Sequence, residues 1–181
     1  MIRKILTRFT ATSALALSCG IASPAWADAT PECNVGPGTE STECGADSSA
    51  TGERSTAVGD GATSTAFAAT AVGSDASATA LSTTSVGSLS RATGGLSSAF
   101  GAVAAADEFR ATAIGAGSFA AGVQSTSVGA FSRARQLNSS SLGAFANAEG
   151  AGATSVGAES DATQLNSSAF GYFAQATPRS N

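Results

Sequence analysis

Histidine is absent from the 181 residues, and lysine occurs once, at Lys4. Without an imidazole no Ser-His or Cys-His relay can be assembled. Three cysteines and no histidine also fall short of a zinc ligand set. Charge is scarce, at 12% of residues, and acids outnumber bases 13 to 9. That balance lacks the basic patch that nucleic acid or an anionic membrane surface would require. Phosphate-cradling GxGxxG and Walker spacings in a βα setting are missing. So is the Asp-rich nonapeptide repeat that binds calcium. The sequence therefore predicts no enzyme, no cofactor, no metal, no nucleic acid and no small-molecule substrate. Acidic residues such as Asp107, Glu108, Glu159 and Asp161 read as a solvated face.

Long hydrophobic runs are lacking as well. The apolar stretch at residues 9–22 is too short and polar for a permanent membrane span. Arg3, Lys4 and Arg8 precede it, and Ala25-Trp26-Ala27 follows as a small-x-small cleavage site. Residues 1–27 thus predict a secretory signal, with the exported chain starting at Asp28. A lipid-modified Cys19 is the lesser alternative, because Ala16 and Leu17 fit poorly upstream of it. Removing three cationic residues leaves six against 13 acids, a net charge of −7. Export also places Cys33 and Cys44 in an oxidising compartment, where a disulfide closing a short loop is expected. Two free thiols are the alternative.

What the chain does have is glycine in a strict rhythm. Gly59, Gly73, Gly87, Gly101, Gly115, Gly129, Gly143, Gly157 and Gly171 follow one another every 14 residues. An uninterrupted short period means one small unit stacked on itself, with a long surface and no pocket of its own. Just before each glycine stands an apolar residue: Val58, Val72, Val86, Phe100, Ile114, Val128, Leu142, Val156 and Phe170. These nine are expected to form the core. A looser apolar column comes eight residues after the glycine and includes Phe67, Leu81, Phe109, Leu137 and Leu165. The third and fifth positions after the glycine hold only Ala or Ser, while the fourth varies freely from Arg91 to Phe119 to Asp161. Restricted and free columns in alternation are the period-2 mark of a strand with one face buried. The small columns suit a narrow interior, or a place where another subunit comes close.

Fourteen residues fit one coil of a flattened solenoid, with two strands of about five residues and two tight turns. Nine or ten coils at the inter-strand spacing of about 4.8 Å make a rod of roughly 45 Å. The predicted organisation is a signal at 1–27, an irregular lead-in or cap at 28–52 holding both cysteines, repeats at 53–177 and a polar tail at 178–181. The repeat can also be read one coil earlier, from Gly45. A single thin roll filled with Ala and Ser is marginal, which predicts oligomerisation through its flat face.

Two coils are near copies: residues 136–143 read QLNSSSLG and residues 164–171 read QLNSSAFG. With Ala or Ser following at the third and fifth positions, these segments resemble the 14-residue repeats of trimeric autotransporter adhesins, the YadA-like head. The likeness covers about residues 45–177, although early coils such as AVGDGATSTA lack the leading asparagine. It implies a left-handed parallel β-roll in a homotrimer. It also implies an exported head at the cell surface or outer membrane, binding host extracellular-matrix or cell-surface proteins and promoting autoaggregation, a virulence trait. The stalk and membrane barrel usual in that family are not seen in the sequence. The chain is then expected to be either a truncated adhesin fragment or a head that is secreted or periplasmic.

Two further columns carry hypotheses. Three residues before each glycine stands Thr or Ser, from Thr56 to Ser168. Such a ladder either bonds from coil to coil or orders water, as in a structural or ice-binding secreted solenoid. Two residues after the glycine, Phe131, Phe145 and Phe173 recur. They either face a subunit interface or form an outward adhesive patch.

Overall fold

The computed structural model describes residues 33–176. The expected signal peptide and the tail at 178–181 lie outside them. Every coil is built from two four-residue turns. The first starts at the repeated glycine, as where the Ser118 amide donates to the Gly115 carbonyl at 3.1 Å. The second starts seven residues later, as where the Ser125 amide donates to the Gly122 carbonyl at 3.1 Å. Turns of this length leave room for strands of only three and two residues, such as Thr112–Ile114 and Phe119–Ala120. The strands are therefore shorter than the five residues expected.

Each strand pairs with its counterpart one coil away. Thr112, Ala113 and Ile114 lie beside Thr126, Ser127 and Val128 in parallel, and beside Ser98, Ala99 and Phe100 on the other side. Turns stack as well: the Phe131 amide donates to the Ala116 carbonyl at 2.9 Å. The result is a ten-coil parallel β-solenoid, with one sheet of three-residue strands and one of two-residue strands. Strand β1 (Cys33–Val35) folds back antiparallel on β2 (Thr42–Cys44), and Cys33 and Cys44, directly opposite, are joined sulfur to sulfur. A reversed strand thus covers the first edge of the longer sheet, an edge otherwise open to unwanted pairing. Beyond it β2 pairs in parallel with Thr56–Val58, and β3 (Ser49–Ala50) with Thr63–Ser64. Regular stacking therefore includes residues 42–50, ahead of the expected boundary at 53 and in line with the reading from Gly45. Gly45 already occupies the repeat position, with φ of 130°.

The interior differs from the one expected. Beyond the first coil its lining comes from small residues, among them Ala99, Ala104, Ala106, Ala111, Ala113 and Ala120, all fully buried. Serines join them at Ser85, Ser90, Ser127, Ser132, Ser155 and Ser160. The nine residues preceding the glycines are not the core. Val58, Val72, Val86, Val128 and Val156 are half-buried, and Phe100, Ile114, Leu142 and Phe170 are exposed. The reason is parity. In a three-residue strand the middle side chain points inward and both flanking ones point out. From Ala57 to Ala169 the middle residue is Ala or Ser, because two sheets joined by such tight turns enclose no space for a larger group; at the end coil Glu43 takes that place, and its carboxylate accepts from the Ala50 amide at 3.2 Å. Phe67, Leu81, Phe109, Leu137 and Leu165 are exposed as well.

Buried serines need partners, and the sequence supplies them in pairs. Ser85 and Ser90 meet at 2.7 Å, Ser127 and Ser132 at 2.7 Å, and Ser155 and Ser160 at 2.6 Å. The second member of each pair also donates to its turn glycine: Ser90 to Gly87, Ser132 to Gly129 and Ser160 to Gly157. Ser118 stands opposite Ala113, and its buried hydroxyl has no partner.

Candidate interaction surfaces

The outer face of the longer sheet carries two straight columns. One is the hydroxyl column, half-buried over most of its length from Thr56 to Thr154. The other is the apolar column from Val58 to Phe170. Its larger members, Phe100, Ile114, Leu142 and Phe170, are 39%, 41%, 40% and 67% exposed. Successive members sit in parallel register, about 4.8 Å apart. A water-facing apolar stripe running the length of a roll is unusual for a chain that works alone.

A second surface lies at the turn that follows the glycine. Phe131 and Phe145 stack with ring centroids 5.4 Å apart and planes 13° apart. Gly117 makes room for the stack, since a Cβ there would come within 2.7 Å of the Phe131 ring carbons. The same column continues with Glu159 and then Phe173. Beside it runs the outward column of the shorter sheet, in the order Arg133, Asn147, Asp161 and Gln175. Together the two columns line an open groove of about 600 Å³ across four coils. Its aromatic side is the turn column and its polar side is the strand column.

Within the groove the Asn147 amide donates to Asp161 Oδ1 at 3.2 Å. That bond fixes the amide's orientation and leaves Asn147 Oδ1 buried without a donor. Neither Glu159 nor Asp161 holds an ion pair among the described residues; the ion pairs join Arg54 to Glu40, Arg91 to Asp107 and Arg135 to Glu149.

The backbone of the aromatic column is strained. Phe131, Phe145 and Phe173 have φ of 56°, 58° and 56°, in the left-handed region. An ordinary L-residue there costs about 1–2 kcal/mol. Gly61 and Gly117 occupy the same column without that cost. The three rings are 50%, 57% and 54% exposed. Half-burying a phenyl ring returns only about 1 kcal/mol. Folding alone therefore gains little from phenylalanine at these positions.

The sequence reading had singled out the three phenylalanines but not the polar column beside them. That column looked free because its residue types vary without pattern. Among the described residues no group of three His, Cys, Asp or Glu is placed to hold a metal ion. No helix among them is long and apolar enough to cross a membrane.

Residues 45–62, 106–132, 134–160 and 162–178 match the family model of the YadA head domain repeat. Among curated proteins, none matches the chain.

Proposed function

The chain carries YadA head domain repeats, and from that premise we propose that it is the head of an exported trimeric adhesin. Three copies pack side by side around a rotation axis, each contributing the apolar column of its longer sheet. The observation that carries this reading is the half-exposed row through Phe100, Ile114 and Leu142. Covering such a row returns about 1 kcal/mol per residue per chain. Assembly also removes the hydroxyl column from water, so the reading predicts no thermal hysteresis and sets aside the ice-binding alternative.

The assembled head acts at the cell surface, or as a released protein where no anchor is supplied. It attaches to extracellular-matrix or cell-surface proteins of a host and to other heads. Three rods presenting similar turns coil after coil give many weak contacts, and avidity replaces a single deep site. This family and fold are typically without catalytic activity. The adhesive claim is tested by binding of the purified chain to immobilised matrix proteins. Saturable retention that weakens in a Phe131→Ser, Phe145→Ser variant of unchanged oligomeric state is the expected result. Absence of retention on every matrix and cell surface tried would count against it.

A further inference from the structure

We infer that the C-terminal half of the aromatic groove is a subsite for the guanidinium group of a partner protein's arginine. The inference rests on the adhesive reading and names the chemistry that one of its contacts recognises. Three observations converge. First, Phe145 and Phe173 belong to one column with a single coil between them, and the residue on that coil is Glu159, an acid. Second, both charged groups here are acids, Glu159 and Asp161, and neither holds an ion pair among the described residues; their neighbours in the groove, Asn147 and Gln175, are neutral amides. Ser160, which also lines the groove, already spends its hydroxyl proton inside the roll, on Ser155 or on Gly157. Third, Phe145 and Phe173 are 57% and 54% exposed, so both rings are open to a flat partner.

A surface that pairs exposed aromatic faces with two acids that hold no ion pair fits a planar cation. A guanidinium stacks on phenyl rings and offers five N–H donors in a fixed fork. A carboxylate ligand would meet like charge, and a neutral apolar side chain would leave two acids unanswered. Arg133 does not oppose the site strongly. It lies two coils from Asp161 in the same column, about 10 Å away and near the screening length at physiological salt. It orients the partner instead, by favouring an acidic or neutral group at the N-terminal end of the groove.

The test uses the exported chain, isotopically labelled, titrated with N-acetylarginine amide, its lysine counterpart and its uncharged citrulline counterpart. The arginine compound is expected to bind with a dissociation constant in the millimolar range. It should move the backbone amide signals of residues 145–147 and 159–161. Citrulline should bind about tenfold more weakly, as should arginine to a Glu159→Gln, Asp161→Asn variant. Equal effects of arginine and citrulline would overturn the proposal, because charge would then not be read. Equal effects of lysine would overturn the stacking of a planar group. No localised shift at tens of millimolar arginine compound would overturn it outright. The titration reads the groove directly. Its failure leaves adhesion and assembly standing, whereas a monomeric head that still takes up the arginine compound would sink the assembly and keep the subsite.

Discussion

At the scale of single residues, two kinds of positive φ separate what must be glycine from what need not be. Gly115 has φ of 124°, far outside the left-handed helical region, and a Cβ on it would lie 2.6 Å from the Gly129 carbonyl oxygen of the next coil. Conformation and close approach act together there, so no other residue fits. Gly171 has φ of 119° but would gain a Cβ with nothing nearer than 4.0 Å. Gly115→Ala should therefore cost more than Gly171→Ala, by about 1–3 kcal/mol. Urea midpoints of the two variants measure the difference, and equal losses would show that the collision relaxes freely. Positions with φ near 55° accept any residue at a modest penalty, and Val103, at 58° and 58% exposed, is the clearest case. Val103→Asn should raise stability by about 0.5–1 kcal/mol, since asparagine enters that region readily and little burial is lost. Ser118 offers a matched contrast with Ser132. Ser118→Ala removes an unpartnered buried hydroxyl and should stabilise by about 1 kcal/mol, while Ser132→Ala breaks a satisfied pair and should destabilise by a similar amount. Opposite shifts in thermal midpoint are the expected readout.

At the scale of the coil, the period and the solenoid were legible because the repeated glycine answers to two constraints at once and nothing can replace it. Which columns face inward was only half legible. Ala and Ser at the third and fifth positions after the glycine announced a tight interior. The large residue just before the glycine was assigned to that interior on size alone. Strand parity decides otherwise: the residue before it, Ala113 or Ser127 for instance, takes the inward place, and Ile114 or Val128 is turned outward. The serine pairs were open to reading as well, since Ser85 and Ser127 occur with Ser90 and Ser132, whereas Ala57, Ala71 and Ala99 occur with Ala62, Ala76 and Ala104. The aromatic groove was hidden because its polar half is assembled from residues 14 apart that share no type. At the N-terminal end, the bond between Cys33 and Cys44 holds a reversed strand over the first coil. Closing a loop of 11 residues stabilises by roughly 2–3 kcal/mol. Reduction should release β1 and speed hydrogen exchange at residues 42–58, while exchange at residues 112–142 stays unchanged. Uniform acceleration along the roll would mean that the coils unfold as one unit and the clasp has no local role.

At the scale of the whole assembly, one chain is a roll turned inside out by ordinary standards: small residues within, large ones on a flat outer face. That inversion makes sense if the face meets copies of itself. Each roll then gains from its neighbours the burial that its own narrow interior cannot provide. The aromatic groove belongs to the other sheet and its adjoining turn, so a ligand there and a neighbour on the longer sheet use different columns. The central claim is that the column through Ile114 is a contact between copies of this chain. Light scattering on the exported chain, beside an Ile114→Glu, Leu142→Glu variant, tests it most directly. The account predicts three times the mass of one chain for the parent and a shift to single chains for the variant. A parent that scatters as a well-folded single chain would contradict it.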